Sequence, residues 1–243
     1  MTARWVLVVI LIAMTARGGS SLHPMESLEF TLDGTFLMTF NEGRGARDHF
    51  GLNHGTLVSA PVYTNGIVGG AYYFDTDSYI TCSDSPRMKI DSTEKFSVSF
   101  WFNTDVSDET RYMVSRDDNA ASAFDWYVRS QSNDKVAVIA EKEGTATVTC
   151  TQTDTYSLNT WYHVVATYND STVRLYIDGI FNATGTGSLL ATGSPTADFM
   201  IGRVEWTEDG KFSGAIDEVI FFKRIISDRL IKRLYQKGAL GRK

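Results

Sequence analysis

Sugar recognition needs flat apolar faces for stacking, set beside side chains that can hydrogen-bond hydroxyls. Two tryptophans keep such company in this sequence. Trp206 lies in the loop-like run VEWTEDGK, three residues after Arg203, and Trp126 lies among Asp125, Tyr127 and Arg129. Trp126, Trp206 and Arg203 are therefore the candidate ligand contacts, whereas Trp101 and Trp161 read as core or sheet-packing residues. Signs of catalysis are poorer. Glycoside hydrolysis takes two carboxylates about 5–5.5 Å apart for retention or 6.5–9.5 Å for inversion. The acid-rich segments Glu141-Lys142-Glu143 and Glu205–Asp209 read as a turn and a loop instead. His23, His49, His54 and His163 show no metal-binding spacing, and neither a nucleophile elbow nor a phosphate loop occurs. Asp75 and Asp77 read as an Asx-turn, and Asp117-Asp118-Asn119 as a solvated loop without the glycine and closing glutamate of an EF-hand. The chain is not expected to be an enzyme.

The compartment bears on what any site could meet. Arg4 precedes an uncharged apolar run of ten residues, Trp5–Met14, followed by small and polar residues. A membrane-spanning helix needs about 20 apolar residues, so this run predicts a signal peptide over 1–21 and no stable membrane span. Residues 22–34 would lead in to the folded part, and the protein would be secreted or held at the cell surface. An exported chain with two cysteines, Cys82 and Cys150, invites a disulfide worth about 3–4 kcal/mol. The alternative is two buried thiols on different strands. The sequons at Asn169 and Asn182 matter if the cell N-glycosylates exported proteins. With a net charge of −6 and no basic stripe interleaved with aromatics, nucleic acid is not the expected partner.

The elements that must position these residues are short. From Phe30 onward, β-type runs are cut by Gly, Asn, Asp and Ser every 8–14 residues, as in a sandwich or barrel. In FSVSFWF the residues Phe96, Val98, Phe100 and Phe102 share one face, with Ser97, Ser99 and Trp101 on the other. His163 alternates with apolar residues in the same way and reads as a hydrogen-bonded histidine inside the sandwich. Asn169-Asp170 and Asp178-Gly179 are turn signals, which makes YNDSTVRLYIDGIFNATG a meander of short strands. One helix is predicted, with Ser227 as N-cap, Leu230, Ile231, Leu234 and Tyr235 as its apolar face and Gly238 as its stop. The whole predicts an all-β, two-sheet antiparallel jelly-roll sandwich with a short C-terminal helix, one domain over 35–240.

Five blocks carry a family resemblance: NEGRGARDHFGLNHGTL, GIVGGAYYFDTDSYITCSDSP, FSVSFWFNTD, WYHVVATYNDSTVRLYIDG and GAIDEVIFFKRIISDRLIKRLY. In this order they resemble the laminin-G-like and concanavalin A-like lectin and glucanase jelly rolls. The resemblance implies a structural calcium ion between the opening loop and the last strand, at Asn41, Glu42, Gly43 and Asp217; otherwise Asp217 simply accepts hydrogen bonds from loop amides. The Glu-x-Asp-x-x-Glu strand of the retaining glucanases of this fold does not occur. The functional expectation is an exported, non-catalytic binding or adhesion module for a glycan or an extracellular protein. A self-assembling surface protein that forms homo-oligomers is the second reading, and a divergent glycan hydrolase the third.

Overall fold

The computed structural model describes residues 36–241 except 44, 52, 76, 92, 119–123, 143–145 and 190–195. The expected signal peptide and the lead-in lie outside the described residues. Fifteen strands and one helix follow in order: β1 (Phe36–Met38), β2 (Thr56–Val58), β3 (Val62–Asn65), β4 (Gly70–Phe74), β5 (Tyr79–Cys82), β6 (Lys95–Asn103), β7 (Arg111–Arg116), β8 (Phe124–Ser130), β9 (Val136–Lys142), β10 (Ala146–Thr151), β11 (Tyr162–Asn169), β12 (Thr172–Ile177), β13 (Ile180–Thr186), β14 (Phe199–Ile201), β15 (Gly214–Phe222) and α1 (Asp228–Leu240). All strand pairs within the two sheets are antiparallel. One sheet has eight strands in the order β13-β12-β11-β6-β15-β4-β3 with β1 added on β15, and the other seven in the order β10-β9-β8-β7-β14-β5-β2. The expected jelly-roll sandwich is what forms.

Period-2 patterning builds the core. Phe96, Val98, Phe100 and Phe102 of β6 pack between the sheets with Phe221 of β15, Trp126 of β8 and Phe199 of β14. The second face of β6, with Ser97, Ser99 and Trp101, is buried as well. Helix α1 lies over it, and Ile231 and Leu234 close a second apolar layer on Val165, Tyr176, Ile220 and Phe222. Ser227 caps the helix by accepting from Leu230 N–H. Gly238 does not stop it, because the helix runs on to Leu240 and Gly241 is the C-cap. Gly238 is needed for contact instead: a Cβ there would stand 2.6 Å from the Trp101 ring.

Strand β15 is buried along its whole length, acids included. A register shift between Asp217 and Ile220 places Glu218 at φ +54. The bulge lets Ile216 and Val219, three apart, both reach the core, which strict alternation forbids. Strand β3, at the edge of the larger sheet, was not among the expected strands. Its residues are mostly exposed, so no apolar alternation marks it.

Candidate functional site

Several expected contacts lie elsewhere than their sequence context suggests. Trp126 is not a ligand contact, being fully buried and stacked on Phe221 at 5.8 Å and on Phe96 at 4.8 Å. Its polar neighbours Asp125 and Arg129 point to the opposite face of β8, as alternation requires. Arg203 is 6% exposed and organises its own loop. Its guanidinium sits 4.6 Å above the Tyr79 ring and donates to the carbonyls of Val204, Glu205 and Thr207 and to Glu208. It therefore holds the Trp206 loop rather than a ligand. Trp206 is 43% exposed, and its indole is fixed by an Nε1–H bond of 2.9 Å to buried Asp117 and an edge contact with Tyr112.

The expected Cys82–Cys150 disulfide does not form. Both cysteines are free and buried, and β5 and β10 are separated in their sheet by β14, β7, β8 and β9. Five strand spacings of about 4.8 Å far exceed the 4.4–6.8 Å between Cα atoms that a disulfide allows. Burial pushes the Cys150 thiol up to about 11 and raises that of Cys82 further. Asn169 is exposed and Asn182 half-buried, with Asn182 Oδ1 accepting from Thr153 N–H.

The residues expected around calcium hold a turn together. Asp217 Oδ2 accepts from Ile67 N–H at 2.9 Å and Val68 N–H at 3.3 Å, and its Oδ1 from Glu218 N–H at 2.7 Å. Asn41 Oδ1 accepts from Gly70 N–H at 2.9 Å. Gly69, at φ +69, could not carry a side chain, since a Cβ would meet Asn41 Oδ1 at 1.9 Å. Glu42 turns away to His49, at 3.3 Å. Burial and neighbouring Glu218 hold the Asp217 carboxyl well above the usual carboxylate range. In this arrangement Asp217 and Asn41 use these oxygens to hold backbone amides. Among the described residues no group of three or more His, Cys, Asp or Glu side chains could hold a metal ion.

Two constellations remain that could act on a ligand. The first is a groove on the α1 side of the larger sheet, beyond the end of the helix. Its cavity volume is about 190 Å³, and Ala215 lies in its lining between Tyr73 of β4 and Asn103 of β6. Thr64 and Asn65 of β3 border it on one side, and Asp105, Asn159 and Trp161 on the other. Trp161 is half-buried, backed by the cluster of Trp101 and Tyr235, so its ring is held by packing. Asn159, at φ +56, is fixed by its N–H to Thr104 O at 2.8 Å. Tyr73 Oη lies 3.4 Å from both Asp105 oxygens. No Lys, Arg or His lines the groove. Two aromatic rings, three side-chain amides and one carboxylate make a surface for a polyhydroxylated, uncharged ligand. Its volume is below the roughly 300–1,000 Å³ of pockets that engulf a ligand, so it suits the end or flank of one. Trp161 was missed because it opens an apolar strand, and only the β3–β4 edge reveals that it borders a groove.

The second constellation lies on the outer face of the smaller sheet. Asp125 on β8 is the register partner of Glu141 on β9, and Asp117 follows β7 close by. Asp125 is fully buried, and among the described residues neither carboxyl oxygen makes a hydrogen bond of ordinary geometry. Burial first, and then Asp117, Asp118 and Glu141, push its carboxyl up to about 8, offset only slightly by the Asp118 backbone. Trp206, Tyr112 and Tyr127 stand beside this acidic corner in edge-to-face contact.

The superfamily of concanavalin A-like lectins and glucanases matches residues 74–232. The chain belongs to that superfamily. No curated protein matches the sequence significantly. Similar solved structures include domain 4 of an extracellular arabinanase of Geobacillus stearothermophilus in complex with arabinotriose, with TM-score 0.68 and 18% identity over 83% of this chain and 97% of that one. The binding domain of Paraclostridial Mosquitocidal Protein 1 has TM-score 0.68 and 13% identity over 82% of this chain and 51% of that one. The binding domain of botulinum neurotoxin DC, solved with rat synaptotagmin II, has TM-score 0.67 and 16% identity over 85% and 52%. The chain thus spans about half the length of those two toxin domains. At such identities these likenesses show the fold alone, and one fold serves many ligands.

Proposed function

We propose that this protein is an exported, non-catalytic binding module that holds an uncharged glycan in the Tyr73–Trp161 groove. The observation that carries the reading is the groove itself: packed aromatic rings with Asn65, Asn103 and Asn159 at their margins, and no cation. Side-chain amides bond pairs of sugar hydroxyls while the rings stack on C–H faces, and the missing cations disfavour sialylated or sulfated glycans. The non-catalytic reading is supported by there being a single carboxylate in the groove, Asp105, where hydrolysis takes two. The arabinotriose-bound neighbour supports a glycan ligand on this fold without locating it here. Extracellular proteins are the second partner class, supported by the neurotoxin domain solved with synaptotagmin.

A glycan array with neutral and anionic members tests the reading. Binding should fall on neutral glycans and drop at least about tenfold in Trp161→Ala and Asn103→Ala. Asn103 is only half-buried, so its variant keeps the test sound if the Trp161 change loosens packing. Full binding by both variants, with loss in Trp206→Ala, would move the site to the other sheet and refute the groove.

A further inference from the structure

Charge is distributed very unevenly along the chain. Residues 223–243 contain eight Lys and Arg against one Asp, a net +7 in a chain totalling −6, which leaves −13 on the rest. Half of these basic residues, Arg229, Lys232, Arg233 and Lys237, lie on α1. Arg229, Lys232 and Arg233 are exposed on α1 and make no ion pair among the described residues. The single acid, Asp228, is taken up by Tyr176 Oη at 3.0 Å. Burial, and then the charge of Arg233, lower the affinity of Lys237 for its proton.

An apolar tip stands beside this face. The Asp178-Gly179 turn between β12 and β13 packs against Tyr235 of the helix, and the next two residues are Ile180, 71% exposed, and Phe181, 51% exposed. Phe181 meets Tyr176 edge-on at 5.7 Å, and Tyr176 lies under α1. Phe181 is therefore on the helix side of its sheet. Lys232 is four residues from Asp228 and three from Tyr235, so it shares the helix flank that faces this hairpin. Leu240, 73% exposed, adds an apolar residue at the far end of the helix. Isolated exposed apolar residues need no explanation, but a hairpin tip carrying two of them beside the exposed Arg229, Lys232 and Arg233 is a patterned surface.

We propose that this corner docks the protein on an anionic lipid surface, Ile180 and Phe181 entering the headgroup boundary while Arg229, Lys232 and Arg233 meet the lipid charges. Peripheral attachment combines these two features, apolar area buried at the interface and roughly 1 kcal/mol per basic residue near it. Charge complementarity favours this occupant, since the remainder of the protein is strongly acidic and would be turned away from the surface. A sulfated polysaccharide would use the cations but leave Ile180 and Phe181 in water. No helix among the described residues is long and apolar enough to span a membrane, so attachment here is peripheral.

The test is cosedimentation of the full chain with phosphatidylcholine vesicles, with and without about 30% phosphatidylserine, at about 0.1 M salt. Binding is expected only with phosphatidylserine and should weaken as salt rises. Arg229→Gln/Lys232→Gln/Arg233→Gln should weaken it on the order of 100-fold, and Ile180→Ser/Phe181→Ser by at least about tenfold. All five positions are exposed, and unchanged thermal melts of both variants will verify that the fold is intact. Absence of binding to both vesicle types overturns the proposal. So does charge-dependent binding that Ile180→Ser/Phe181→Ser leaves unaltered. Retention on immobilised heparin without vesicle binding would assign the basic face to a sulfated polysaccharide instead.

Discussion

Replacing Asp125 by Asn should flatten the stability of this protein between pH 5 and pH 8. Asp125 carries a carboxyl near 3.8 in the unfolded chain and about 8 in the folded one, raised by burial and then by Asp117, Asp118 and Glu141. Because the folded value is the higher, the unfolded state releases the proton first. The folded state keeps its full stability below about pH 4 and loses it progressively as pH rises toward 8, by up to about 1.4 kcal/mol per pH unit. Integrated from pH 5 to pH 8 with both values, the loss is about 3.6 kcal/mol. For a chain of this size it corresponds to roughly 7–14 °C in Tm. Urea melts of the wild type and Asp125→Asn at several pH values measure the difference directly. Whatever the baseline of the buried amide at pH 5, the gap between the two proteins should widen by about 3.6 kcal/mol by pH 8 in favour of the variant. Other titrating groups, Glu205 among them, are common to both proteins and cancel. Glu141→Gln should make the decline end at a lower pH and be smaller overall, because removing one of the negative charges that keep Asp125 protonated makes its anion easier to form in the folded state. Parallel stability curves for the wild type and Asp125→Asn would refute the reasoning and imply that water or a cation reaches the Asp125 carboxyl.

Three further outcomes follow from the core and its braces. Reducing agent should leave Tm unchanged, and two thiols per chain should react with a disulfide reagent only after denaturation, since Cys82 and Cys150 are free and buried. Asp217→Ala should cost at least about 2 kcal/mol in a urea melt by stranding the amides of Ile67, Val68 and Glu218, whereas chelation of the wild type should leave Tm unaltered. Trp126→Ala should cost about 3–5 kcal/mol through the cavity left among Phe96, Phe199 and Phe221.

Much of the fold was legible because it rests on local rules. Strand β6 was read from Phe96-Ser-Val-Ser-Phe-Trp-Phe, since a period of two declares which side faces a core. Ser227 announced the start of α1 through its side-chain oxygen, a purely local device. Strand β3 was illegible for the complementary reason: an exposed edge strand need not alternate, and its pairing with β4 alone makes it a strand. Gly238 misled because glycine ends helices by conformation but here serves contact with Trp101, far away in the chain and beyond any local cue.

The candidate site was less legible than the fold, and the reason is geometric. Residue type and neighbours along the chain established that aromatic rings, amides and acids were present, that strands would alternate, and that a C-terminal helix would carry an apolar face. Those properties follow from side-chain chemistry and backbone period, which are local. Whether a given ring meets solvent or the core was decided by the order of strands in space. That order buried Trp126 between the sheets, left Trp206 on a rim held by Arg203, and set Trp161 across Ala215 from Tyr73. It also placed Cys82 and Cys150 at opposite parts of one sheet and turned Asp217 toward loop amides. Composition supplied the groups, and the long-range pairing of β4, β15 and β6 alone determined which of them share a surface.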